Sequence, residues 1–135
     1  MYKKILIPIA PDHIEALEDS IAPARALADE GAEIHALCVV ETIPLYVAAE
    51  VPATVYEKAS HEMEQQLEQA FAEMPDVKVR AVNGSPASKI VEIAGDEGFD
   101  LVVVRSHKPG IQDWFLGSTA GRVVRHAPCA IHVVR

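Results

Sequence analysis

Two apolar patterns take turns along this chain, one of strand period and one of helical period. Lys4-Ile5-Leu6-Ile7-Pro8-Ile9 is a β-branched run of strand length, nearly continuous in apolar character, and residues 34–40 and 101–104 repeat it. Residues 130–134 are similar but carry His132. Runs of this kind suit parallel strands covered on both faces. Residues 77–82 (Val-Lys-Val-Arg-Ala-Val) alternate instead, as an edge strand with one wetter face does.

Between these runs lie helical stripes. Over residues 13–30, Leu17, Ile21, Ala24, Leu27 and Ala28 share one face, and Gly31 supplies a stop. Pro23 inside that stripe predicts a kink or an interruption. Over residues 55–74 the stripe is Ala59, Met63, Leu67, Ala70, Phe71 and Met74, with both methionines read as core fillers. The third helix opens with Ser85-Pro86, a capping hydroxyl followed by proline at the first helical position, and runs through Ile90, Ile93 and Ala94 to Gly98. The fourth opens at Ser118 and ends near His126, since Pro128 bars continuation.

The order is β-α-β-α-β-α-β-α-β, which predicts a parallel sheet with helices on both faces. With 135 residues there is room for one domain, residues 1–135, and for a core that needs no staples. The longest connection, residues 41–53 with Pro44 and Pro52, is expected to cap a site.

Charge and cysteine content narrow the function classes. A net charge of −8 with scattered Lys and Arg argues against nucleic-acid and anionic-membrane partners, because nothing would neutralise phosphates in bulk. No run approaches the roughly 18–20 apolar residues of a membrane helix. The apolar run behind Lys3-Lys4 ends at Pro11, too short for a signal peptide. A cytoplasmic location is the expectation. Cys38 and Cys129 lack redox or metal spacing and are read as free thiols. The six histidines show no paired ligand spacing and are read as structural or solvent-facing, His107 excepted for its place in a candidate loop. No Walker loop or nucleophile elbow is present.

Open parallel sheets bind ligands beyond the carboxyl ends of their strands, where strand order switches direction. Residues 9–13, 39–43 and 105–119 occupy such positions. In the last segment Gly117 and then Ser118-Thr119 stand at the mouth of a helix, where outward N–H groups and the macrodipole favour an anion. A plain helix cap by Ser118 accounts for the same residues without a ligand.

These residues also carry a family resemblance. Ile5-Leu6-Ile7-Pro8-Ile9, Gly84-Ser85-Pro86 with Ile90 and Ala94, and Asp100-Leu101-Val102-Val103 resemble the universal stress protein family. So do Leu116-Gly117-Ser118-Thr119-Ala120, Val123, Ala127 and residues 131–134, so that the likeness spans essentially the whole chain. It implies an α/β fold of the adenine nucleotide alpha hydrolase kind, an open five-stranded parallel sheet of order 3-2-1-4-5. It further implies a homodimer formed through the last strand and, in many members, bound ATP on a Gly-x-x-Gly motif followed after nine residues by Gly-Ser or Gly-Thr.

This chain departs from that motif. Arg105 and Lys108 stand where the two glycines would be, the spacing to Gly117 is one residue short, and Gly110 is placed to take over a turn. Ala10 occupies the usual position of an aspartate at the end of the first strand. Ser106-His107-Lys108-Pro109 resembles the wording of a small-chain branch of the family. The implied nucleotide site draws on Pro8, Ile9, Ala10, Val39, Val104, Arg105, Ser106, His107, Lys108, Gly110, Gly117, Ser118 and Thr119, with no catalytic or metal-ligating residue assigned. Its cofactor would be ATP or AMP, with Mg as the accompanying ion. Arg105 has two readings: a guanidinium that pairs with phosphate, or bulk that fills space a glycine would leave for ribose. The function implied is a cytoplasmic, dimeric, nucleotide-binding regulator of stress response. A nucleotide-free interaction protein and a weak ATPase are the alternatives.

Overall fold

The apolar runs pair side by side into one sheet, all parallel. The computed structural model describes residues 1–11, 14, 17–41, 52–106 and 116–135. Within them the elements follow as β1 (Tyr2–Pro8), α1 (Glu18–Leu27), β2 (Ala28–Glu41), α2 (Ala53–Ala70), β3 (Val77–Gly84), α3 (Pro86–Asp96), β4 (Leu101–Arg105), α4 (Ser118–His126) and β5 (Ala130–Val134). The strand order is β3-β2-β1-β4-β5, as the resemblance implies.

Period-two alternation along the central strands divides the core in two. Ile5, Ile7, Leu101 and Val103 point to one face and pack with Ile21 and Ala24 of α1, with Leu67 of α2 and with Phe71 just after it. Leu6, Val102 and Val104 point to the other, against Ile90 and Ile93 of α3 and Val123 of α4. Both faces of β1 and β4 are therefore covered, which is why those runs are apolar without interruption. Leu67 is fully buried, and trimming it to alanine would cost about 2–5 kcal/mol.

Several local expectations are corrected. The first helix is shorter than residues 13–30, and Ala28 already has extended backbone (ψ 136°) and pairs with Tyr2 of β1. Leu27 and Ala28 fit either period, and the ladder to β1 takes Ala28. Gly31 is therefore not a helix stop. It sits inside β2 at φ +78°, where the β1–β2 register jumps from Tyr2–Ala28 to Lys4–Glu33. A bulge of this kind needs the left-handed backbone that glycine tolerates. Pro23 does not interrupt α1, which runs through it. The second helix ends at Ala70, and Phe71 and Met74 reach the core from the turn that follows. Ser85 does precede Pro86 at the start of α3, but its hydroxyl makes no capping bond. The connection expected to cap a site falls mostly on residues 42–51, outside the described residues.

Asp100 locks the amino ends of β1 and β4 together. Its two carboxylate oxygens accept hydrogen bonds from the backbone N–H groups of Lys3 and Lys4, each at 2.9 Å. Partial burial pushes this carboxyl up, but those two N–H bonds prevail and hold it below the ordinary carboxylate value.

Candidate functional site

Strand order turns around between β1 and β4, because the chain winds outward through β2 and β3 and then returns to add β4 and β5 on the other side. The loops leaving neighbouring strands diverge there and leave a crevice at their carboxyl ends. A cavity of about 680 Å³ occupies that crevice, a size typical of small-molecule sites, which run roughly 300–1,000 Å³. Its floor is apolar, built from Ile9, Leu37, Val39 and Val104. Ile9 is fixed by its N–H, which donates to the Leu37 carbonyl at 2.8 Å and carries the ladder past the end of β1.

The polar wall is the amino end of α4. Gly117 caps the helix with extended backbone, φ −60° and ψ 159°, and its carbonyl accepts the first helical bond from Gly121 at 2.8 Å. The N–H of Gly117 itself donates to the carbonyl of Ser106. Ser106 in turn donates its N–H to Val134 at 2.8 Å. Gly117 is thereby tied to the end of β4, and the helix mouth is held against the sheet. The N–H groups of Ser118, Thr119 and Ala120 come before the first intrahelical donor, and among the described residues no hydrogen bond engages them. They form the macrodipole's positive end, an arrangement that suits phosphate or another compact anion. Glycine at position 117 is not demanded by its backbone angles.

Of the residues expected from sequence, Pro8, Ile9, Ala10, Val39, Val104, Arg105, Ser106, Gly117, Ser118 and Thr119 all line this one cavity. His107, Lys108 and Gly110 lie outside the described residues. Arg105 ends β4 with its side chain 18% exposed, and its guanidinium meets the carboxylate of Asp19 in α1 at 3.2 Å. Ala10 is exposed at the rim.

Other lining residues were not anticipated. Ala59, Glu62, Met63 and Gln66 of α2 form one side, so Met63 serves the cavity wall as well as the core. Glu62 and Gln66, four residues apart, share one edge of the helix beside the Ala59–Met63 stripe, and that spacing was the available signal for a polar edge on the cavity side. Glu41 reaches the cavity from the 39–43 segment expected at a strand's carboxyl end, and the buried Ser20 reaches it with nothing in its local sequence to distinguish it.

Among the described histidines, His35 has structural surroundings, while His61 and His126 are exposed. His35 pairs with Glu33 at 3.0 Å and packs edge-on against Phe99 with ring centroids 5.0 Å apart. Among the described residues no group of three His, Cys, Asp or Glu could hold a metal ion. Cys38 is buried on the α1/α2 face and Cys129 packs on the α3/α4 face, so they are free and on opposite sides of the sheet.

Comparison with known proteins agrees with this architecture. The universal stress protein of Methanothermobacter thermautotrophicus is 32% identical over 143 aligned positions, which cover 100% of this chain and 97% of that protein. The solved structure of the protein MJ0577 superposes with a TM-score of 0.79 at 30% identity, covering 99% of this chain and 96% of the other. A universal stress protein in complex with cAMP shares the fold at a TM-score of 0.60 and 18% identity, over 99% of this chain and 97% of that one. So does an Arabidopsis thaliana family protein with AMP bound, at a TM-score of 0.54 and 14% identity, over 98% and 90%. The family model for universal stress proteins matches residues 1–135, and this chain belongs to the universal stress protein family.

Proposed function

We propose that this chain is a cytoplasmic regulator that binds an adenine nucleotide, AMP or ATP, in the cavity at the carboxyl ends of β1, β2 and β4. The observation that carries the reading is the row of N–H groups at Ser118, Thr119 and Ala120, set over an apolar floor in one cavity. Phosphate would accept from those three donors, with Arg105 adding a cation at the same end. The base and ribose would lie on Ile9, Val39 and Val104, with Pro8 and Ala10 at the rim and the Ser106 backbone holding the helix mouth in place. His107, Lys108 and Gly110 join the proposal on sequence alone. Mg would enter with the phosphates it neutralises. Two proteins of the same fold hold cAMP and AMP, which supports adenine as the base.

The molecule is further proposed to act as a homodimer. β5 is an outer strand whose one partner among the described residues is β4, and an aliphatic edge of this kind invites antiparallel pairing with a second copy across a two-fold axis. Any hydrolysis of ATP would be slow and secondary.

One observation favours a second reading, a nucleotide-free interaction protein: Arg105 is already engaged by Asp19. Mass spectrometry of small molecules released from gently purified protein separates the two. Recovery of AMP or ATP at near-stoichiometric amounts supports the site. Nucleotide-free protein that also fails to bind added AMP or ATP overturns it.

A further inference from the structure

The charges around the cavity suggest which nucleotide it favours. Among the described residues that line it, Arg105 is the cation, while Glu41 and Glu62 are carboxylates. Arg105 is also in contact with a third carboxylate, Asp19, which lies in the first turn of α1 and keeps its side chain 61% exposed. The amino end of α1 favours a negative charge at that position. The guanidinium that would greet a phosphate is therefore partly neutralised before a ligand arrives.

Resting on the nucleotide-binding reading above, we infer that Asp19, through its ion pair with Arg105, sets the phosphate number the cavity accepts, favouring a nucleoside monophosphate over the triphosphate. A phosphate group carries roughly −1.5 to −2 charges. One such group can be met by the α4 donors and a shared Arg105. Each further phosphate adds repulsion from Asp19, Glu41 and Glu62, against which the described lining offers Arg105 alone, and Lys108, which joins the site on sequence alone, would offset one of those three charges. Asp19 acts through Arg105, and so it is a positioning residue whose effect should scale with ligand charge.

The test is calorimetric titration of adenosine, AMP and Mg-free ATP into wild type, Asp19→Asn, Arg105→Gln and the double variant, at low and moderate salt. Circular dichroism checks that each variant is folded. Wild type should bind AMP at least as tightly as ATP. Because the pair is partly exposed, Asp19→Asn should tighten ATP by no more than about fivefold, and AMP by less. Adenosine affinity should not move, the gain should shrink as salt rises, and it should vanish in the Arg105→Gln background. Tighter binding of ATP than AMP by wild type overturns the inference. So does an ATP-to-AMP ratio unchanged by Asp19→Asn, an equal shift without Arg105, or a shift for adenosine. In those cases the nucleotide site itself stands. If wild type binds none of the three ligands, the nucleotide-binding reading fails and this inference with it.

Discussion

Replacing Gly117 with aspartate should abolish nucleotide binding while leaving the fold at least as stable, and the opposing signs make the experiment decisive. Gly117 is the N-cap of α4 with backbone angles open to any residue, φ −60° and ψ 159°. An aspartate there accepts hydrogen bonds from the second or third helical N–H, those of Thr119 and Ala120. These are two of the donors assigned to phosphate, so the new carboxylate is a competitor built into the chain. Hydrogen bonds to a charged group are worth roughly 1.5–3 kcal/mol each, and losing two removes about 3–6 kcal/mol. A micromolar site has about −8 kcal/mol in total, so the variant would fall to roughly hundred-micromolar binding or weaker even at the low end. Stability should move the other way. Aspartate is a slightly better N-cap than glycine, by a few tenths of a kcal/mol, and its charge gains about 0.3–1 kcal/mol from the helix dipole. The measurements are titration of AMP and ATP by calorimetry, with thermal melts of both proteins. Equal affinity in wild type and Gly117→Asp would place the phosphates elsewhere. A marked drop in Tm would mean that Gly117 is not the open cap described.

Other expectations follow from the same geometry. Burial pushes the Cys38 thiol up to about 11, so Cys38 should resist alkylation at neutral pH until the protein is unfolded, while the partly exposed Cys129 reacts in the native state. Three strand spacings, about 14 Å, separate β2 from β5, far beyond the roughly 7 Å reach of a disulfide. An intramolecular Cys38–Cys129 bond recovered from native protein would contradict the strand order. Asp100→Asn should destabilise the fold by about 1–3 kcal/mol, the range for charge-assisted hydrogen bonds. Because the folded-state carboxyl sits lower than in the unfolded chain, its contribution is present above the unfolded value and is lost as pH falls through the folded one. The gap between wild type and variant in denaturant melts should therefore be full near neutrality and close in acid. A gap that persists unchanged in acid would remove the carboxylate's charge from the account. Sedimentation should show a dimer at micromolar concentration, and a Val133→Pro change, which deletes a backbone donor in β5, should weaken it; a stable wild-type monomer would refute pairing through that strand.

Much of the architecture was legible in the residues themselves. Apolar runs at residues 4–9 and 101–104 suit strands covered on both faces, because they are short, β-branched and nearly without polar positions. Alternation with helical stripes then implied a parallel sheet, and Gly117-Ser118-Thr119 before an amphipathic stretch marked a helix mouth able to receive an anion. These features are local, set by backbone chemistry and side-chain period within a few residues. What the tertiary structure alone decided is nonlocal. Ala28 became strand because Tyr2 lay beside it to pair with, and Gly31 became a bulge because the two strands differ in length at that point. Glu62 and Gln66 became cavity wall because α2 lies where β1 and β4 diverge. Asp19 met Arg105 across 86 positions of sequence. No periodicity records such a contact, since its energy arises between elements whose relative placement exists only once the sheet has closed its core.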